Sequence, residues 1–234
     1  MDRRPIAARS FRWPTRLALA LVRAGITPNQ VSASSVLFAL VGAASFVGAG
    51  MRQDAASIGL FVLGAVSVQL RLVANLIDGL MAVEGGAKSP VGDLYNDVPD
   101  RIADSLFLIG LGYAAELGAA RGGLPFGEPL GYLAALLAAL TAYVRFVGGA
   151  LLGTQDFGGP FAKQHRMFAV TVAALLAAAE QALAMPPRVL VLALAVVTLG
   201  ALVTAARRLG GIARALREGK RRPAASSDQP ESAR

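Results

Sequence analysis

The sequence contains no cysteine, one histidine, one tryptophan and only 15 acidic residues among its 234. Without cysteine, the chain can form no disulfide and can carry out no thiol chemistry. The scarcity of acidic residues, with a hydrophobic content of 55%, excludes an ordinary soluble domain, which carries more charge and shorter apolar runs. The lone His165 lies in a loop-like stretch, where a histidine is typically solvated, and we assign it no role.

Long apolar runs predict an all-α integral membrane protein with six transmembrane helices. The predicted spans are residues 31–50, 57–83, 97–118, 129–153, 167–185 and 188–207. A shorter stretch, residues 14–24, cannot cross a bilayer and is typical of an amphipathic helix in the interface. Its Arg16 and Arg23 share one face, with Leu17, Leu21 and Val22 available to the membrane. Gly25 can end this helix and Pro28 can begin the next one.

The distribution of lysine and arginine predicts the orientation. These residues concentrate in both termini and in the loops at 84–96 and 154–166, whereas the opposite side holds Arg52, Arg121 and Arg188. Both termini and these loops should therefore be cytoplasmic. We divide the chain into a cytoplasmic N-terminus with the amphipathic helix (1–30), a six-helix membrane domain (31–208) and a basic, partly disordered cytoplasmic tail (209–234). The net charge of +8 favours anionic lipids as partners, and we expect no nucleic acid.

Polar residues interrupt the membrane pattern between residues 71 and 104. Asn75 and Asp78 lie near the cytoplasmic end of the second span, on one helix face, and Asn96, Asp100 and Asp104 share a face at the start of the third. Carboxylates at membrane depth are costly and usually mark a functional site. Two facing helices with these side chains would gather the oxygen ligands that Mg²⁺ prefers.

The spacing of this stretch resembles the motif of the CDP-alcohol phosphatidyltransferases, D-x2-D-G-x2-A-R-x8-G-x3-D-x3-D. The matching positions hold Asn75, Asp78, Gly79, Ala82, Val83, Gly92, Asn96 and Asp100. The upstream GITPN segment is also similar, and the resemblance covers roughly residues 25–210. The chain resembles a divergent branch, because asparagine replaces the first and third aspartates and Val83 replaces the arginine.

The resemblance implies a metal-dependent transfer of a phospho-alcohol group from a CDP-activated lipid, such as CDP-diacylglycerol, to an acceptor hydroxyl, with release of CMP. One or two Mg²⁺ or Mn²⁺ ions would be held by Asn75, Asp78, Asn96 and Asp100, and Asp100 would also be the catalytic base. Asp93, Asp97 and Asp104 are candidates to compensate for the two missing charges, although the motif spacing gives them no family role. The arginine that Val83 replaces is one part of the CDP recognition that the resemblance implies. It also implies a homodimer in a bacterial-type plasma membrane, with a cytoplasmic active site.

The substrate-binding residues are expected to be Gly79, Ala82, Gly92, Arg71, Lys163 and Arg166. Arg71 shares a helix face with Asn75 and Asp78, so it can contact substrate phosphate or form an internal salt bridge with Asp78. By resemblance, Lys163 and Arg166 bind the acceptor's phosphate or a lipid head group; the other reading is anchoring by the positive-inside rule. The acceptor itself, whether glycerol phosphate, inositol or its phosphate, or serine, is not encoded in a pattern that we can interpret.

Three other functions compete with this one. A catalytically weakened or inactive relative that binds CDP-lipid, or serves as a membrane partner, would explain the two asparagines and Val83. An intramembrane prenyltransferase shares the spacing of Asn96, Asp100 and Asp104, but those enzymes have more spans and two such motifs. A transporter would need polar groups along a path across the membrane, whereas this cluster lies near one face, and we find no internal repeat.

Overall fold

The computed structural model describes residues 12–83 and 91–221 of the chain, and within them it contains seven helices and no strand. The helices are α1 (Arg12–Arg23), α2 (Pro28–Met51), α3 (Ala55–Val83), α4 (Gly92–Ala119), α5 (Gly127–Leu152), α6 (Lys163–Ala182) and α7 (Arg188–Arg221). The all-α prediction is therefore confirmed for the described residues. The predicted N-terminal segment before residue 12, residues 84–90 of the 84–96 loop and the tail beyond residue 221 lie outside them.

The connection between α1 and α2 forms as the sequence predicts. Gly25 adopts a positive φ of 78°, which a residue without a Cβ adopts without strain, and Pro28 occupies the first turn of α2. Thr27 and Gln30 form a reciprocal capping box that satisfies backbone donors at the start of the helix. On α1, Ala18 is buried, and Leu21 and Val22 pack with the buried residues of α3. Both side chains are only partly buried, and our expectation that they are available to the membrane stays a prediction.

Five of the helices are long and apolar enough to cross a membrane: α2, α3, α5, and the segments Leu94–Ala119 of α4 and Arg188–Gly219 of α7. Helix α6 has 20 residues, but its charged ends shorten its apolar stretch, since Lys163 and Arg166 lie in the first turn and Glu180 in the last. Helix α7 continues to Arg221, past the predicted end of the span near 207. The alanine, leucine and arginine residues after position 207 favour this extension.

The bundle core is built largely from small residues. α2 packs against α3 and α4, α5 packs between α4 and α7, and α6 packs against α3 and α7. Because consecutive helices run in opposite directions, the start of α2, the end of α3, the start of α4, the end of α5 and the start of α6 lie at one end of the bundle. The polar residues singled out in the sequence belong to that end.

Candidate functional site

The predicted metal-binding positions form a hydrogen-bonded group across α3 and α4. Asn75 Nδ2 donates to Asn96 Oδ1 at 2.7 Å, which links the two asparagines directly. Asn75 Oδ1 accepts from Lys163 Nζ at 3.1 Å. This pair of contacts defines the orientation of the Asn75 amide, because its oxygen meets an ammonium and its nitrogen meets an acceptor.

Asp100 is buried and held by two cations. Arg71 Nη2 donates to Asp100 Oδ1 at 2.7 Å and to the Asp100 backbone oxygen at 3.1 Å. Lys163 Nζ donates to the other carboxylate oxygen, Oδ2. Arg71, which is fully buried, therefore pairs with α4 rather than with Asp78, because Asp100 and Asp104 lie opposite it on the facing helix. Of the two interpretations of Arg71, an internal salt bridge does form, but with Asp100 and Asp104 and not with Asp78.

Asp78 reaches the same group of charges from one turn after Asn75. Its Oδ2 accepts from Ser32 Oγ at 2.6 Å, so α2 also contributes to the site. Asp78 and Asp100 are both buried, so neither carboxylate points into lipid. Lys163 links Asp100 to Asn75, which lies one turn before Asp78 on the same face of α3. Ser32 was not predicted as a site residue, because a serine in an apolar helix does not indicate which side chain it will contact.

A second layer of charge lies deeper, around Asp104. Its carboxylate pairs with Arg71 at 3.0 Å and with Arg166 at 3.5 Å, and all three side chains are buried. Arg166 Nη1 also donates to Thr141 Oγ1 and to the Phe161 carbonyl oxygen. The motif gave Asp104 no role, but its helical spacing from Asp100 was the signal that both belong to one face.

Asp97 also pairs with arginine. It accepts from Arg145 Nη2 at 2.9 Å and lies 3.7 Å from Arg101. Asp104 and Asp97 thus each have cationic partners, as Asp100 does, and their part in replacing the missing aspartates stays a prediction. The side chain of Asp93 lies outside the described part of the structure.

A cavity of about 260 Å³ opens beside these charges, between α5, α7 and the loop that joins α5 to α6. Arg145 and Arg208 line it together with Asp156 and Gln155. Arg145 stacks between the rings of Phe146 and Phe157, 4.7 and 5.0 Å from their centroids. Arg208 donates to the carbonyl oxygens of Gly158 and Thr141. Arg208 was not singled out in the sequence, because it stands at the predicted boundary between the last span and the basic cytoplasmic tail.

The predicted substrate-binding residues divide into two groups. Gly79 faces open space, since a Cβ placed there would meet no atom within 4 Å, and Val83 is 42% exposed at the end of α3. Gly92 begins α4, and Ala82 is half-buried. In contrast, the charged groups of Arg71, Lys163 and Arg166 are buried and already contact the carboxylates described above.

The oxygen donors fit a hard divalent cation, but their charge is small. Among the described residues, no group of three histidine, cysteine, aspartate or glutamate side chains could hold a metal ion, since two of the four motif positions are amides. Asn75, Asp78, Asn96 and Asp100 still present amide and carboxylate oxygens to one region, the ligand chemistry that Mg²⁺ and Mn²⁺ take. Two of these four positions carry a carboxylate, and the Lys163 ammonium contacts Asn75 and Asp100 of the same set.

These features define a class before any particular relative is considered: a helical membrane protein with a charged site at one end of its bundle. No model of a known protein family matches the chain. It is 31% identical over 102 residues to the phosphatidylinositol phosphate synthase of Mycolicibacterium smegmatis, over 44% of this chain and 42% of that protein. The match therefore spans less than half the length of that curated relative.

Solved structures share the fold. Phosphatidylinositol phosphate synthase of Mycobacterium tuberculosis with CDP-DAG bound superimposes with a TM-score of 0.70 at 21% identity, covering 86% of this chain and 94% of that one. The same protein in complex with manganese and citrate gives a TM-score of 0.66, also at 21% identity, covering 85% and 88%. The resemblance to the CDP-alcohol phosphatidyltransferases is thus confirmed in the sequence match and in the fold.

Proposed function

We propose that the chain transfers a phosphatidyl group from a CDP-activated lipid to the hydroxyl of an anionic acceptor, releasing CMP at the cytoplasmic face of the membrane. One observation carries this proposal: the motif side chains of α3 and α4 converge with cationic side chains of α5, α6 and α7 at a single end of a membrane bundle. The similar synthase crystallised with CDP-DAG supports a CDP-lipid donor.

In the proposed reaction, the acceptor oxygen attacks the phosphorus that carries the lipid alcohol, and the bond from that phosphorus to CMP breaks. Asp100 accepts the proton of the attacking hydroxyl. Ser32 holds the carboxylate of Asp78, and the space at Gly79 lets the donor approach the α3 backbone. A divalent ion held by Asn75, Asp78, Asn96 and Asp100 would supply charge neutralisation on the pyrophosphate oxygens.

The arginine-lined cavity supports a phosphorylated acceptor. Arg145 and Arg208 bring two positive charges to its wall, opposed by the carboxylate of Asp156. Arginine is well suited to phosphate because its planar donors match phosphate oxygens. Inositol phosphate and glycerol phosphate are therefore favoured over serine and free inositol, and the name of the similar synthase favours the inositol compound.

The direct test is CMP formation by the purified protein. The assay supplies CDP-diacylglycerol with Mg²⁺ or Mn²⁺ and compares inositol phosphate, glycerol phosphate, inositol and serine. We expect metal-dependent CMP release with a phosphorylated acceptor and a phosphatidyl product of matching mass. Release of CMP with serine alone would contradict the choice of acceptor, and no release under any condition would contradict the transferase.

A second candidate has its own observation. Both carboxylate oxygens of Asp100 already accept hydrogen bonds, one from Arg71 and one from Lys163, so neither contacts an acceptor hydroxyl in this arrangement. This contact favours a non-catalytic relative that binds CDP-lipid. Saturable CDP-diacylglycerol binding without CMP release, in every acceptor arm, would support the second candidate and contradict the first.

We further propose six spans, with α6 as the fifth, and α1 lying in the interface. Twenty helical residues at about 1.5 Å each match a hydrocarbon core of about 30 Å. The absence of native cysteine allows single-cysteine labelling: Gln164→Cys and Leu183→Cys, at opposite ends of α6, should react with impermeant reagent from opposite sides of the membrane. Labelling of both from one side would contradict the six-span arrangement.

By resemblance, we also propose a homodimer in a bacterial-type plasma membrane. We retain the division of the chain at residues 30 and 208.

A further inference from the structure

The two asparagines of the motif form a contact that two aspartates could not form alone. Asn75 Nδ2 and Asn96 Oδ1 are 2.7 Å apart, a normal hydrogen bond between amides. Two carboxylates at this separation would repel each other unless a proton or a cation lay between them. The Asn75–Asn96 amide pair therefore holds α3 and α4 together without a metal ion.

Lys163 adds a positive charge to the same place. Its Nζ contacts Asn75 Oδ1 and Asp100 Oδ2, so the ammonium bridges oxygen ligands from α3 and α4. The side chain is only 4% exposed and is anchored at the start of α6. An ammonium in contact with two oxygens on facing helices occupies the position that a bound cation would take between them.

The local charge opposes a second ion. Asp78 and Asp100 supply two negative charges to the motif positions, and Asp100 is already paired with Arg71 and Lys163. Two divalent ions would bring four positive charges beside an ammonium and a guanidinium in a largely buried region. Unbalanced charge at this depth is strongly unfavourable.

We propose that the Lys163 ammonium and the Asn75–Asn96 amide pair together take the place of one divalent ion, so that the site binds a single divalent ion beside Asp78. This inference rests on the proposed function for its choice of ion, but it concerns binding stoichiometry and not turnover. Lys163 is then a positioning residue that holds Asp100 and Asn75, rather than a ligand of the acceptor.

The test counts Mn²⁺ ions bound to the full-length protein in phosphatidylcholine nanodiscs, using the electron paramagnetic resonance signal of free Mn²⁺. We expect the wild-type protein to bind one Mn²⁺ per chain. Asn75→Asp with Asn96→Asp should also bind one, because Lys163 still occupies the second position. Adding Lys163→Met to this double variant should raise the number to two, with a dipolar-coupled spectrum.

Arg101→Met is the matched control in the double-aspartate background. Arg101 is a cation 3.6 Å from the same oxygen of Asp100, but it does not bridge to Asn75. Its removal should leave one Mn²⁺ bound. Two ions in the Arg101→Met variant would show that general charge, and not the Lys163 bridge, sets the stoichiometry.

Two measurements keep the proposal testable if the triple variant does not fold. Wild-type protein that binds two Mn²⁺, or none, overturns the proposal directly. Lys163→Met alone should bind Mn²⁺ about tenfold more tightly, since a positive charge close to the ion is removed; unchanged or weaker binding overturns it as well. Failure of CMP release with one Mn²⁺ bound would contradict the transferase and leave this inference intact.

Discussion

The two ends of the bundle are held together by different forces. At the site end, helices α3, α4, α5 and α6 meet through ion pairs such as Arg71–Asp100 and Arg145–Asp97. Further along α4, a Cβ at Gly112 would lie 2.8 Å from the Gly131 Cα of α5. The first region depends on charge balance, whereas the second depends on shape. Amino-acid substitutions that change charge should therefore have their main effect at the site end, and substitutions that change side-chain volume at the opposite end.

The largest expected effect is at Asp100. Asp100→Asn keeps the shape but removes the carboxylate that would accept the proton, so CMP release should fall by about 10²- to 10⁴-fold. Asp54→Asn makes the same chemical change at the opposite end of the bundle, in the exposed turn between α2 and α3, and should leave the rate unchanged. The rates are measured at saturating CDP-diacylglycerol, with circular dichroism to check the fold. Undiminished release by Asp100→Asn would remove Asp100 from the mechanism.

Asp104 tests whether the deeper layer of charge is structural. Asp104→Leu would leave Arg71 and Arg166 without a shared partner in a buried region. Breaking a buried pair in this way costs about 3–5 kcal/mol, so the variant should unfold at markedly lower temperature or denaturant concentration. Thermal unfolding in detergent measures this change. A second variant, Asp104→Asn, keeps the volume and separates loss of charge from a packing defect; wild-type stability in both would contradict the structural role.

How much of the fold and of the candidate site could be predicted depends on whether the residues involved are near one another in the sequence. The all-α class was predictable because each apolar run is continuous in the sequence. The motif was predictable because its positions Asn75, Asp78, Asn96 and Asp100 lie within one short stretch. The partners of these residues were not, because they come from distant helices. Ser32, which donates to Asp78, and Lys163, which donates to Asp100, are separated from those residues by 46 and 63 positions, and no local pattern links them.

The end of α7 shows a second limit on what could be predicted from the sequence. The basic residues after position 207 were assigned to the cytoplasmic side, since positive charge near a span commonly marks that side. Arg208 instead points its donors at carbonyl oxygens of the loop before α6 and of α5. Composition alone could not distinguish a solvated arginine from a buried one.

The same substitution, glycine to alanine, can be made in both regions, at Gly112 and at Gly79, to compare how tightly each is packed. Gly112→Ala places a methyl group 2.8 Å from the Gly131 Cα and should destabilise the fold by about 1–3 kcal/mol through overpacking. Gly79→Ala meets no atom within 4 Å, so its packing cost should be negligible. If donor lipid approaches α3 there, Gly79→Ala should instead raise the KM for CDP-diacylglycerol. Equal loss of stability in both variants would contradict the open space at Gly79.

The smallest effect is expected at the Arg52–Asp54 pair, which lies in the turn opposite the site. The hydrogen bond from Arg52 lowers the pKa of the exposed Asp54 carboxyl below its ordinary value. A lowered pKa means that the pair stabilises the fold above the unfolded-state pKa and that this contribution is lost as the pH falls through the folded-state value. The unfolding midpoint of wild type should therefore exceed that of Asp54→Asn slightly at pH 7, and the difference should shrink as the pH falls below the ordinary carboxyl pKa of 3.8. Because both side chains are about half exposed, solvent screens the pair and the difference should be near the limit of measurement.

A difference in unfolding midpoint that grows toward acid pH would contradict the sign of the pKa shift. A large difference at pH 7 would show that charge pairing also holds this end of the bundle together.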